Sequence, residues 1–358
     1  MIDTIQITRT NESRLKDVDF DNLVFGKVFA DHMVDMTYKN GAWGEPKIRP
    51  YGPISIHPSM HVLHYGQAIF EGMKAYYVDE NTIHLFRLED HYRRISNSSR
   101  RMSIPEMEKE VFIESIKELV RLDHGWVPKK RGHSLYLRPF LFASQEYIGA
   151  RAADEYRFMV ITSPVAAYYK EGFNPVSLTT TDKYVRAVKG GTGFAKAAGN
   201  YAGSFYPARQ AQEAGYTQIL WLDAMEHRYI EEVGTMNIFF LMDDVLVTPP
   251  LAGTVLPGIT RSSVLALAEE WGVDTEERRI SIDEVFDAHK AGHLKEVFGS
   301  GTAAVISPVG LIHHNGKTIE LDQEHIGPFA KKMFDSITGI QYGEREDPFG
   351  WVHPIHIS

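Results

Sequence analysis

The stretch KGGTGFAKAAGNYAG, residues 189–203, holds four glycines before Asn200 and two lysines, Lys189 and Lys196. Glycine at this density lets the backbone approach another group closely. Two phosphate-binding patterns are tested first. A P-loop needs Gly-Lys followed by Ser or Thr, and Lys196 follows Ala195 and precedes Ala197. A dinucleotide fingerprint needs G-x-G-x-x-G, and its third glycine falls on Lys196. Both fail. A solvated surface turn stays open at this point.

The rest of the chain bounds the choice. Its 358 residues exceed one typical core, so two domains are expected. A hydrophobic share of 43% and a charged share of 24% are those of a globular protein. The net charge of −9 disfavours nucleic acid as a partner. There is no cysteine, so no disulfide frame, thiolate zinc site or cysteine nucleophile is available. The opening MIDTIQITRTNESRLK is polar, and no run approaches the ~20 apolar residues of a membrane span. The cytoplasm is the expected location. His61 and His64, His313 and His314, and His353 and His356 lack carboxylates at ligand spacing, so no metal site is expected.

Period and composition place the elements. HVLHYGQAIFEGMKAYYV and TIHLFRL read as strand-rich around Gly66 and Gly72. LEDHYRRISNSSRRM reads as a helix with arginines on its outer face. Val111, Ile113, Ile116, Leu119 and Val120 mark an amphipathic helix. SLYLRPFLFAS and YRFMVITSPV read as strands. SPVAAYYKEGFNPV, residues 163–176, reads as an interdomain connection, with Tyr168 and Tyr169 as lid candidates. NYAGSFYPARQAQEAG reads as a helix ending at Gly215 with Pro207 near its start, YTQILWLD as a buried strand, and NIFFLMDDVLVTPP as a hairpin turning at Asp243 and Asp244. ITRSSVLALAEEWG is a helix stopped at Gly272, and Ser281 with Glu284 forms a capping box. EVFGSGTAAVISPVG reads as strand, glycine turn, strand. The alternation predicts α/β or mixed α+β domains. The boundaries are 1–167 for a small first domain, 168–184 for a linker and 185–358 for a larger second domain.

Three stretches can carry chemistry. Pro257 and Gly258 break the chain before a helix near Ile259. The unpaired first N–H groups of a helix and the Thr260 hydroxyl suit an anion, or mark a plain helix start. The turn FGSGTAA adds Thr302. Glu232 precedes an apolar strand, where a carboxylate wants a cationic partner, either an arginine or a protonated heterocycle nitrogen. A lysine, an anion cradle and an acid facing a ring nitrogen are the three needs of pyridoxal phosphate.

HYGQAIFEGMKAY, LFRLEDHYRRI, LYLRPFLFAS, KGGTGFAKAAGNYAGS, EEVGTMNIFF, LPGITRSSV and FGSGTAA, in this order, resemble the branched-chain amino-acid aminotransferases. These belong to the class IV, fold-type IV pyridoxal-phosphate enzymes, and the resemblance runs from about residue 20 to 345. It implies a two-domain fold-type IV architecture, each domain a mixed or antiparallel sheet or barrel with flanking helices. It implies pyridoxal 5′-phosphate as cofactor, with Lys196 as Schiff-base lysine and proton carrier, and a homodimer whose subunits close each other's pockets. Tyr201 would bond the cofactor's phenolate oxygen and Glu232 its pyridinium proton. Arg87, Gly258, Ile259, Thr260 and Thr302 would hold its phosphate. Tyr65, Phe70, Tyr136, Arg138, Ala150, Thr235 and Ala303 would line the substrate pocket. The expected substrates are L-leucine, L-isoleucine and L-valine, exchanging their amino group with 2-oxoglutarate and L-glutamate. A D-amino-acid aminotransferase or aminodeoxychorismate lyase would use the same lysine and glutamate; EGMKAY and LYLRP favour the branched-chain enzyme. The Cys-x-x-Cys switch of some animal members is absent, since GTAAVISPV stands in its place.

Overall fold

The computed structural model describes residues 5–166 and 174–357. The chain divides into two compact units. One comprises Met1–Tyr168, Ala195–Gly199 and Gly339–Ser358, and the other Tyr169–Phe194 and Asn200–Thr338. Each is built on one sheet.

The first unit's strands are β1 (Gln6–Ile7), β2 (His32–Lys39), β3 (Ala42–Trp43), β4 (Lys47–Pro50), β5 (Ala68–Phe70), β6 (Met73–Asp79), β7 (Thr82–Phe86), β8 (Ser134–Ala143) and β9 (Tyr156–Val165). They run in the order β1-β4-β2-β9-β8-β6-β7, and the C-terminal strand Val352–His356 closes the far edge. Among the described pairings of this sheet, β1 against β4 is parallel and the others are antiparallel. Along β8, Leu135, Leu137, Pro139 and Leu141 are buried, while Tyr136, Arg138 and Phe140 alternate between them. The buried leucines join one core with Phe112, Ile113, Ile116, Leu119 and Val120 of α3 (Lys109–Leu122) and with Leu88 and Ile95 of α2 (Leu88–Arg101). The spacing of those α3 residues gives the helix one apolar face. The opposite face carries Tyr136 and Arg138, and further along β8 a second apolar cluster in which Phe140 and Phe142 pack with Met33, Met60 and Met159.

The second unit's strands are β10 (Val176–Thr179), β11 (Gln218–Leu222), β12 (Ile230–Val233), β13 (Asn237–Met242), β14 (Val245–Thr248), β15 (Asp274–Glu277), β16 (Leu294–Gly301), β17 (Val305–His314) and β18 (Lys317–Glu320). The order is β12-β11-β10-β17-β16-β13-β14-β15, with β18 on β17. Strand β10 pairs in parallel with β11 and β17, and β14 in parallel with β15. Helices α4 (Ala198–Glu213), α5 (Ile259–Glu270), α6 (Ile282–Lys290) and α7 (Pro328–Gln341) follow. Ser281 caps α6 by accepting the Glu284 N–H at 3.1 Å. The β13–β14 hairpin turns at Asp243, whose φ is +49°. Mixed sheets with flanking helices are the α/β class expected.

Several expectations need correction. His61–Tyr65 is a short helix, α1, ended by Gly66 in the left-handed region, where the composition predicts a strand. Strand β9 runs on to Val165 and β10 begins at Val176, so the 163–176 connection is shorter and the 168–184 linker contains a strand. Tyr168 and Tyr169 lie outside the described residues. Residues 195–199 and 339–358 group with the first unit rather than the second. Backbone pairing is the cause: Ala197 bridges Ile69, and Val352–His356 pairs antiparallel with β7. Pro207 is interior to α4 because the helix starts at Ala198. Arg94 faces inward, against the reading of α2 arginines as an outer face, because it answers a buried carboxylate.

Candidate active site

In the first unit, one sheet face gathers five of the expected residues or their supports. Strand β5 carries Phe70, and its N–H donates to the Lys196 carbonyl at 3.1 Å. The Lys196 N–H in turn donates to Ser98 Oγ of α2 at 3.0 Å. Lys196 is thus held by its backbone from two elements, and its Nζ lies 5.0 Å from the centre of the Phe70 ring. Arg138 Cζ lies 4.6 Å from the same ring centre. Its Nη2 donates to the Tyr136 hydroxyl at 2.8 Å.

Register extends this face. Lys74 pairs with Tyr136, and Tyr136 pairs with Ser163 of β9, so all three project on Arg138's side. Arg138 Nε and Ser163 Oγ are buried with no hydrogen-bond partner among the described residues. Orphaned donors beside a cation are the chemistry a carboxylate ligand would satisfy. Burial pushes the Lys74 ammonium down to about 8. Gly72 closes the face, since a Cβ there would meet the Tyr136 hydroxyl oxygen at 2.1 Å.

Arg87 stands at the N-terminus of α2 in the left-handed region, with φ of +55°. Its N–H donates to the Trp351 carbonyl at 2.7 Å, its Nε to Asp90 at 2.6 Å, and its guanidinium lies 5.0 Å from the Trp351 ring centre. Tyr65 and Ala150 are exposed. The Tyr65 hydroxyl donates to the Ile148 carbonyl, which ties α1 to the loop bearing Ala150.

In the second unit, four segments converge on Asn237. Its amide donates to the Leu256 carbonyl at 2.9 Å, and the Leu256 N–H donates to Glu232 Oε1 at 2.7 Å. Glu232 is 3% exposed, and its Oε2 lies 3.1 Å from Arg186 Nε. The arginine partner weighed for this carboxylate is therefore present. It gives the buried carboxylate a cation to answer its charge. Asn237 pairs with Ser300, so the Gly234–Thr235 turn and the Thr302–Ala303 turn sit at the same end of β13 and β16. Gly258 precedes α5 without offering a capping side chain, and a Cβ there would meet Asn237 Oδ1 at 1.9 Å. Thr260 is buried in the first turn. A glycine-led helix start next to a hydroxyl suits a phosphate. Tyr201 lies on α4, after Asn200, whose side chain is bonded to Thr192 at 2.6 and 2.8 Å. The donor set of each unit fits pyridoxal phosphate: lysine and arginine in one, buried carboxylate and anion cradle in the other. Among the described residues no His, Cys, Asp and Glu cluster of three or more is disposed to hold a metal.

Sequence reading missed Ser98, Ser163, Glu71, His91, Arg94, Arg186 and Asn237. Glu71 has the same signal as Glu232, a carboxylate inside an apolar run. His91 and Arg94, three apart, share a helix face. Ser98 and Ser163 give no signal in one dimension.

These two mixed sheets and their polar faces are those of a transferase fold with known relatives. The amino-transferase class IV family matches residues 68–312, and the chain belongs to that family. It is 48% identical over 353 residues to branched-chain-amino-acid aminotransferase 2 of Bacillus subtilis (strain 168), covering 98% of this chain and 97% of that one. The crystal structure of the Escherichia coli branched-chain amino acid aminotransferase superposes with a TM-score of 0.71 at 28% identity, covering 89% of this chain and 98% of that one. A further branched-chain amino acid aminotransferase, solved with pyridoxamine 5′-phosphate, gives a TM-score of 0.71 at 28% identity, covering 89% of this chain and 97% of that one.

Proposed function

We propose that the chain is a branched-chain amino-acid aminotransferase that exchanges the amino group of L-leucine, L-isoleucine or L-valine with 2-oxoglutarate, using pyridoxal 5′-phosphate. The observation that carries this reading is Lys196, pinned by its backbone to Phe70 and Ser98 on a face that also holds Arg138 and Tyr136. Near-full-length identity of 48% to a Bacillus subtilis protein of that name supports the substrate class.

When bound, the cofactor supplies an aldehyde that bonds amines and a ring that takes up the electron pair left at the substrate Cα. Lys196 Nζ holds the cofactor at rest and, once released, carries the proton leaving Cα. Glu232, beside Arg186 and oriented by the Leu256 N–H, holds the proton on the ring nitrogen. Tyr201 holds the phenolate oxygen. Arg87, Gly258, Ile259, Thr260 and Thr302 hold the phosphate. Phe70, Thr235 and Ala303 take the alkyl group. Arg138 and the Tyr136 hydroxyl take the second carboxylate of glutamate through charge-assisted hydrogen bonds.

Tyr65 and Ala150 serve the pocket of a second copy in a homodimer. Their exposure, with that of Leu63 and Ile148 nearby, supports this assignment. No helix among the described residues is long and apolar enough to cross a membrane, and the cytoplasm is the proposed location.

The test is an absorption spectrum. A visible band that bleaches with L-leucine and returns with 2-oxoglutarate establishes both half-reactions. A band that ignores L-leucine but answers D-alanine moves the activity to D-amino acids. A protein that stays colourless with added cofactor overturns the reading.

A further inference from the structure

Beneath Phe70 lies a buried ionic cluster that the proposed chemistry does not use. Glu71 is 0% exposed. Arg94 of α2 donates to both of its oxygens at 2.7 Å, and His91 Nδ1 lies 2.7 Å from Oε2. Burial alone would raise the Glu71 carboxyl. Arg94 and His91 outweigh burial and hold it well below the usual carboxylate range. Burial pushes the His91 imidazole down, Glu71 pulls it up, and the charges of Arg94 and Lys196 push it down again. His91 is therefore a neutral donor, and the cluster of one carboxylate and one guanidinium has no net charge.

The cluster borders Lys196 by short covalent and hydrogen-bonded steps. Glu71 follows Phe70, whose N–H holds the Lys196 carbonyl at 3.1 Å, and the Glu71 N–H donates to the Pro139 carbonyl at 2.7 Å. His91 and Arg94 belong to α2, which also carries Ser98, the acceptor of the Lys196 N–H. Glu71 thus clamps α2 to the β5–β6 turn, and both ends of that clamp hold Lys196. The charge of Lys196 is close enough to His91 to disfavour a proton on the imidazole. The charged and titratable groups around Phe70 and Lys196 in this unit include Glu71 of the turn, His91 and Arg94 of α2, Tyr136 and Arg138 of β8, and Lys74 of β6, whose register partner is Tyr136.

We infer that Glu71, His91 and Arg94 form a charge-balanced positioning unit for Lys196, fixing its backbone and setting how readily its side-chain nitrogen holds a proton. This rests on the assignment of Lys196 as the cofactor lysine. None of the three touches the reacting atoms.

The experiment is a pH titration of the visible absorbance of the cofactor-loaded protein. Arg94→Gln removes the main partner that offsets the burial of Glu71, so the Glu71–His91 pair takes up a proton, the cluster stays neutral and the midpoint stays near the wild-type value. Glu71→Gln leaves one net positive charge on Arg94 and lowers the midpoint by about one pH unit, a tenfold change. Arg94→Lys keeps the balance and the wild-type midpoint. Glu71→Gln strands a buried charge at a cost to folding. The double variant Glu71→Gln/Arg94→Met strands none, and removing both members of a buried pair is often tolerated. Its midpoint stays at the wild-type value while kcat falls and KM holds. A Glu71→Gln midpoint that is unmoved or raised overturns the inference, as does a shifted midpoint in the double variant. Borohydride reduction and peptide mapping read the underlying assignment separately. Label on a lysine other than Lys196 removes that assignment. Label on Lys196 with an unmoved Glu71→Gln midpoint removes only the role of the cluster.

Discussion

Lys196 and Phe70 are joined twice, once by the Phe70 N–H to the Lys196 carbonyl at 3.1 Å and once by Nζ standing 5.0 Å from the ring centre. Only the second contact needs the lysine side chain. Lys196→Ala therefore keeps the backbone bonds to Phe70 and Ser98. The fold should survive the change. Turnover should fall by at least ~10³-fold. Thermal melting and the L-leucine half-reaction check the two parts independently. Retained turnover removes the lysine assignment.

Two of the partners of Glu232 make different demands. The Leu256 N–H needs only an acceptor, and Arg186 needs a charge. Glu232→Gln keeps the first and loses the second. Stranding Arg186 in a buried site should cost about 3 kcal/mol. Loss of the group facing the ring nitrogen should lower turnover by roughly 100-fold. Denaturant melts and kcat measure these separately. A lower melt with unchanged kcat would confine Glu232 to a structural pair with Arg186.

Arg138 presents an orphaned Nε and a bond to the Tyr136 hydroxyl. Arg138→Ala should raise KM for 2-oxoglutarate at least ~10-fold more than KM for L-leucine, because only the former brings a second carboxylate. Equal losses for both substrates would make Arg138 a structural cation over Phe70.

The same geometry explains what the sequence can disclose. Lys196, Glu232 and the α5 start lie in motifs whose glycines or misplaced charge stand out along the chain. The strands and amphipathic helices are readable from period alone, as along β8 and α3. The long-range joins are not. Nothing local tells that Val352–His356 returns to β7, or that Ala197 bridges Ile69. Ser163 falls both in the strand read from YRFMVITSPV and in the connection that Pro164 and Gly172 punctuate, and β9 carries it opposite Tyr136. A proline is tolerated there, within a strand, where the local pattern argues for an end. Arg94 sits among arginines that read as surface, and only the partner Glu71, 23 residues away, turns it inward.

Gly72 is the closest backbone approach on the substrate face. In Gly72→Ala the new methyl would meet the Tyr136 hydroxyl oxygen at 2.1 Å and Cζ at 2.9 Å. The ring end must swing away, and its bond to Arg138 at 2.8 Å goes with it. Turnover with 2-oxoglutarate should drop about 10-fold, the cost of one charged hydrogen bond. The fold should survive, because what yields is a side chain. Turnover with both substrates at wild-type rates would show that Tyr136 is not needed where it stands.

Lys74 makes stability depend on alkaline pH. Burial lowers its pKa from 10.5 to about 8. Below about pH 8 the amine is charged in both the folded and unfolded chain, and the burial penalty is constant. Between about 8 and 10.5 the folded chain releases a proton that the unfolded chain keeps. The unfolded state then binds more protons, so stability rises with pH. By about pH 10 the gain from this group is roughly 2–3 kcal/mol at most. Tyr76 and Tyr342, whose hydroxyls burial raises, pull the other way at still higher pH. Comparing wild type with Lys74→Met cancels their effect. Urea midpoints at about pH 7, 8.5 and 10 should converge for the two proteins as pH rises, with Lys74→Met more stable at the lowest of them. A constant gap across the three pH values would mean that Lys74 keeps its proton throughout.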